Sequence, residues 1–308
     1  MTIENLLYLL VAALVMSAIA LAIDVVFVTS KKSAVKKTAT KAVRRRVDSA
    51  GKVISDDSGS PHIATVEKSK GHSLSWYGTA FGVVAVLLVT AYLVGRTILA
   101  GHGPFSNQHE FAVSFVWGIL VATLFFRWRY RVRMLSLIVY PIVIALLLYA
   151  LNLDTTINGL VPALQNSFYL TLHVSFAILA YGTACVSFGA AALYLVRDKV
   201  APKLRRMPSK DLLDEIGYKA AALTFPLLTI MILLGAIWAD TAWGRYWGWD
   251  PKETAAFVTW LIYGAYLHAR VVRDWRGTKA AWLLVFGFAS VLFAYFGNHF
   301  FGGLHSYG

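Results

Sequence analysis

The sequence predicts an all-α, polytopic membrane protein with about eight transmembrane helices and both termini extracytoplasmic. Three observations carry that prediction. The 308-residue chain is 58% hydrophobic and only 15% charged, with a mean hydropathy of +0.60, which is too apolar for an ordinary soluble domain. Apolar runs long enough to cross ~30 Å of hydrocarbon, about 20 residues each, recur along the chain. The basic residues fall in alternate connections between those runs.

Taken in order, the runs lie near 3–28, 75–99, 110–127, 133–151, 168–195, 219–239, 253–272 and 280–298. The first begins with Glu4 rather than a basic leader and is followed by a basic cluster, which reads as a retained helix over 1–29, not a cleaved signal peptide. Residues 30–74, rich in Lys, Ser and Asp, read as a solvated cytoplasmic linker. The other seven helices form a domain over 75–308. The connections after the first, third, fifth and seventh helices hold 26 of the 29 Lys and Arg residues, so that side is cytoplasmic by the positive-inside rule. The net charge of +13 therefore records topology, and no nucleic-acid partner is expected.

The single cysteine, Cys185, lies mid-helix in YGTACVSFGA, so disulfide and CxxC chemistry are excluded. Gly182, Ala184, Gly189 and Ala190 around it predict a close helix contact with Cys185 in the core. There is no tandem repeat and no phosphate-cradling glycine loop, which leaves nucleotide-driven transport unsupported.

The stretch TAWGRYWGWDPKETAAF, between the sixth and seventh helices on the outer side, carries the densest chemistry. Asp250, Pro251 and Glu253 spell a helix start: an N-cap, a proline in the first turn and an acidic residue at the third position. An interfacial belt accounts for tryptophans such as Trp238, Trp243, Trp247, Trp249 and Trp260 taken singly. It accounts less well for their crowding beside Gly244, Gly248, Arg245 and Lys252 in the loop 240–252. Indoles pack on a planar ring, glycines let backbone approach it, and Arg245 or Lys252 meets carboxylates. Haem, with two propionates, has that shape.

A haem iron takes axial donors, usually histidine. Of eight histidines, His62 and His72 lie in the cytoplasmic linker, and His102 and His109 lie in the outer loop AGHGPFSNQHEF, where they are weak candidates. His173 lies about one or two turns inside the outer end of the fifth helix, and His305 lies in the outer tail FGGLHSYG. The two read as a clamp on one iron, with His299 as a rival for His305. His268 is roughly 22 Å deeper than the start of its helix at 1.5 Å per residue, so it does not share an iron with His173. A trans ligand for His268 comes from another protein, from water or from nowhere.

The segment WGRYWGWDPKE resembles the WWD signature of a haem-handling superfamily. With the His173 helix, YLHAR and the terminal GLHSY, the region from about 76 to 308 is similar to the system II c-type cytochrome biogenesis family called CcsA or ResC, and CcsB in some bacteria. The resemblance implies a multi-pass protein of the bacterial plasma membrane, acting with a ResB-like partner as a cytochrome c synthase. Haem b is its substrate, joined as thioethers to the CxxCH cysteines of apocytochrome c, with a thioredoxin-like reductant as a possible further partner. It implies that His173 and His305 are the external axial ligands, that Trp243, Arg245, Trp247, Trp249 and Asp250 belong to the haem-holding loop, and that His268 is a transient ligand inside the membrane. No residue is assigned as a catalytic nucleophile, because the substrate brings the thiols. A haem exporter or chaperone without ligation activity is the competing reading.

Overall fold

The computed structural model describes residues 3–44, 74–157, 159–165, 167–200 and 207–297, with Phe301 and Gly303. The helices are α1 (Asn5–Arg44), α2 (Leu74–Ala100), α3 (Gln108–Tyr130), α4 (Leu135–Leu151), α5 (Ser167–Val200), α6 (Lys210–Trp243), α7 (Pro251–Val272) and α8 (Thr278–Phe296), with a short 3-10 turn at Pro162–Leu164 before α5. Each predicted run is a helix, and no strand occurs among the described residues. Seven are long and apolar enough to cross a membrane. The exception is α4, whose 17 residues reach about 25 Å. It ends at Asn152, whose N–H turns back onto Tyr149 and Ala150 carbonyls. α1 runs beyond its apolar part to Arg44, because no glycine or proline interrupts the chain before Gly51 and the basic stretch consists largely of good helix formers.

Helix α5 is the axis of the bundle: α3, α4, α6 and α8 all pack on it, α1 leans on α2 and α4, and α7 closes the far side against α6 and α8. The α3–α5 crossing is a backbone contact. A Cβ on Gly182 would fall 2.5 Å from the Gly118 carbonyl oxygen, so both helices present bare backbone there. Lipid offers no hydrophobic drive for helix pairing, and such close approach supplies van der Waals contact instead. Cys185, one turn further along α5, is fully buried as its small neighbours predicted.

The two ends of the bundle differ. One carries the described basic residues that flank α3, α6 and α7, where Arg270 is paired with Asp214 across α7 and α6, and Arg127 donates to Tyr140 (3.0 Å) and Thr79 (3.1 Å). The other gathers the start of α1, the α2–α3 and α4–α5 loops and the 240–252 loop; Glu4 accepts from Thr155 there, at 3.0 Å. That end holds the cavity described next.

Candidate functional site

A cleft of about 1320 Å³, counting its open mouth, lies between α3, α5, α6, α7 and α8. Its interior is about 140 Å³, below the 300–1,000 Å³ common for small-ligand sites, so a large flat molecule would lie across the open mouth. Its walls are mainly apolar, with Phe115, Val174, Ala177, Ile232 and Ala256 among them, and His173, Tyr181, Lys252, Gln108 and Asn107 supply polar groups.

His173 stands on the cavity wall in a fixed pose. Its Nδ1 is 2.8 Å from the Met231 carbonyl of α6. A carbonyl only accepts, so Nδ1 carries the proton and the lone pair of the neutral ring is on Nε2, the tautomer suited to binding a metal through that atom. The ring lies nearly parallel to the Trp238 indole (centroids 6.2 Å apart, 14° between planes). It also presses on Gly235, where a Cβ would fall 2.8 Å from both Cε1 and Nδ1. Met231, Gly235 and Trp238 are spaced by four and three residues, so one face of α6 makes the whole seat.

Trp238 is itself anchored. It is buried, its Nε1 donates to the Ala163 carbonyl (3.1 Å), and Trp243 meets it edge-on at 4.8 Å. In the sequence, an interfacial belt accounts equally well for Trp238, and its only signal as a site residue is its position one helical turn beyond Gly235.

The loop after α6 reverses at Gly244, whose φ of +71° is left-handed and whose N–H caps the Asp240 carbonyl. Trp249 also adopts a positive φ, 55°. α7 then starts as expected. Asp250 accepts from the Lys252 N–H (2.8 Å), while Glu253 accepts from the N–H groups of Asp250 (3.1 Å) and Gly248 (2.9 Å). The turn distributes the predicted residues unequally. Trp247 and Lys252 line the cavity. Trp249 is 66% exposed and meets Trp247 and Phe257 edge-on. Arg245 is exposed, lies under Gly248 and does not line the cavity. Trp243 touches the site through Trp238.

Asp250 has a second neighbour in the carboxy-terminal tail: a Cβ on Gly303 would overlap its Oδ2 and approach Pro251 Cδ to 3.1 Å. The tail thus reaches the loop two residues before His305. His305 and His299 themselves lie outside the described residues. His268 is exposed on α7 and is not part of the cavity.

The sequence missed a buried polar cluster behind the cavity rim. Arg96 and Glu110 are 1% and 0% exposed and joined at 2.7 Å. The other Glu110 oxygen accepts from the N–H (2.8 Å) and hydroxyl (2.7 Å) of Ser106, and Arg96 also donates to the Thr156 carbonyl at 3.1 Å. His109 is used twice: Nδ1–H donates to the Ala150 carbonyl (2.8 Å) and Nε2 accepts from the Tyr92 hydroxyl (2.6 Å). Both nitrogens are engaged, which makes His109 a structural histidine. The cluster holds Ser106 by way of Glu110, and Asn107 accepts from the Glu110 N–H (2.9 Å); Ser106 and Asn107 are residues of the cavity rim. Arg96, an arginine inside an apolar helix, was the available signal.

Residues 105–305 match the family model described as cytochrome C assembly protein. Among curated proteins, the chain is 36% identical over 258 residues to the cytochrome c biogenesis protein CcsA of Guillardia theta, covering 75% of this chain and 85% of that protein. It is 35% identical over 286 residues to the CcsA of Gloeothece citriformis, covering 75% and 87% respectively. A third similar protein is the CcsA of Trieres chinensis, 33% identical over 275 residues, covering 77% and 88%. With its membrane-spanning helices and a match over most of its length, the chain belongs to the cytochrome c assembly protein family, on its CcsA branch.

Proposed function

We propose that this chain is the subunit of a membrane cytochrome c synthase that brings haem b to the extracytoplasmic face and orients it for attachment to the CxxCH cysteines of apocytochrome c. Membership in the cytochrome c assembly family supports a role in cytochrome c maturation. The observation that carries the finer reading is His173, held by the Met231 carbonyl, Gly235 and Trp238 so that its metal-binding nitrogen is Nε2, on the wall of an open, mainly apolar cleft.

In this reading His173 is one axial ligand and His305 the other, carried by the tail that Gly303 brings against Asp250. Trp247 and Trp238 border the ring, and the thiols come from the substrate. Addition of each thiol S–H across a vinyl C=C places sulfur on one carbon and hydrogen on the other, with no leaving group. The protein's contribution is proximity and orientation. Replacement of an axial histidine by the histidine of CxxCH then times release. His268, on the exposed face of α7, serves haem in transit, with its opposite ligand on a ResB-like partner in the bacterial plasma membrane.

The test is the absorption spectrum and pyridine haemochrome of the detergent-purified chain, made with and without a ResB-like partner, followed by an assay of thioether formation on a CxxCH apocytochrome. Six-coordinate haem b and thioether product, lost in His173→Ala and regained with imidazole, support the synthase. Haem binding with no thioether formation points to an exporter or chaperone, and no haem in either preparation sinks the reading.

A further inference from the structure

Outside the basic connections the sequence keeps only three of its 29 Lys and Arg residues: Arg96, Arg245 and Lys252. All belong to the cavity end of the bundle, and the structure gives them three different fates. Arg96 is neutralised by Glu110. Arg245 is exposed and folded under Gly248, off the cavity. Lys252 lines the cavity, with its Nζ 5.7 Å from the centre of the Phe111 ring; it makes no ion pair among the described residues, and the buried Asp250 carboxylate acts on it only from a distance. The Glu253 carboxylate beside it is engaged by the backbone of the loop.

Helix physics makes the choice of lysine informative. Lys252 is in the first turn of α7, at the positive end of the helix dipole, where a cation is disfavoured by a few tenths of a kcal/mol to about 1 kcal/mol. A cation kept there, half-buried in an aromatic wall, does not serve the helix. It does serve an anion, which gains from the ammonium in a medium less screening than water. Asn107 and Gln108 line the same cavity and carry side-chain amide N–H groups.

We infer that Lys252 is the cavity's carboxylate receptor, and that it, not Arg245, takes an acidic side group of the planar ligand and sets the ring's rotation about the His173–metal axis. The inference rests on the haem reading and deepens it. Propionates and vinyls occupy opposite edges of haem b, so a carboxylate anchored at Lys252 turns the reactive vinyl edge away from that wall. Without the anchor, rotation is governed by shape alone, which a nearly symmetric disc specifies poorly.

The experiment titrates the full-length chain in detergent with two probes, iron protoporphyrin IX and its dimethyl ester, which has the same ring and no carboxylate. Lys252→Gln is expected to weaken binding of the acid at least about tenfold and leave the ester unchanged. Lys252→Arg should retain most of the acid's affinity, and Arg245→Gln should alter neither probe. Retained ester binding shows that Lys252→Gln is folded. Equal losses for both probes would mean that Lys252 only packs on Phe111, and no loss, or an acid-specific loss in Arg245→Gln, would overturn the assignment. A wild-type chain that binds neither probe overturns the haem reading, and this inference with it.

Discussion

Replacing Gly235 by alanine tests the seat of His173 with one methyl group. The new Cβ would lie 2.8 Å from Cε1 and Nδ1 of the imidazole. Relaxed contacts between such atoms need about 3.5 Å or more, so the ring must retreat from α6 by roughly 0.7 Å. Because the Met231 carbonyl belongs to the same helix face, that retreat stretches the 2.8 Å hydrogen bond to about 3.5 Å, past useful length. Overpacking costs about 1–3 kcal/mol, while alanine in place of glycine returns up to about 1 kcal/mol of helix propensity, so the protein should still fold. What is lost is the fixed tautomer, and losing such an outer partner lowers metal affinity about 10–100-fold. The assay is titration of the purified variant with haem, reading the six-coordinate spectrum, beside a size-exclusion profile. Wild-type affinity and spectrum in well-folded Gly235→Ala would refute the claim that Met231 and Gly235 set the histidine.

Other substitutions follow from the same structure. Glu110→Gln leaves the Arg96 charge buried and unpaired, which should cost about 3–5 kcal/mol and show as lower yield and an earlier thermal transition in detergent. The double change Arg96→Met with Glu110→Leu should recover much of that loss, and failure to do so would deny that the ion pair is the cause. Asp250→Ala removes the α7 cap and the carboxylate touching Gly303; a loss of about 1 kcal/mol is expected, visible in thermal unfolding, together with faster proteolysis of the carboxy-terminal tail. Gly182→Val drives a side chain into the Gly118 backbone and should abolish the α3–α5 crossing, seen as loss of monodisperse protein. His268→Ala should leave haem affinity at the outer cavity unchanged, because His268 is roughly 22 Å along α7 from Glu253.

Hydropathy and local capping rules were enough for the helices. Apolar length located all eight, and the α7 start was written in Asp250, Pro251 and Glu253, because a cap is an interaction among residues three apart. The core placement of Cys185 followed from its small neighbours for the same local reason.

The site was legible as a region, and less so residue by residue. His173 was singled out by its depth in an apolar helix, yet its orientation depends on Met231, 58 positions away. His109 looked like a loop histidine, while Tyr92 and Ala150, 17 and 41 positions distant, occupy its two nitrogens. Among the tryptophans, Trp247 and Trp238 reach the cavity and Trp249 points outward, and Lys252 enters it where Arg245 does not. Composition treats those residues as equivalent. The left-handed turns at Gly244 and Trp249 make them different, since a reversal of the backbone decides which side chains face inward. The sequence alone thus determined the membrane class, the place of each helix, though α1 ends well past its apolar run and α6 begins well before its own, and the loop that matters, all from short-range patterns. Only the tertiary structure decided which side chains converge, because that depends on how α3, α5, α6 and α7 cross, and no periodicity in any one of them records it.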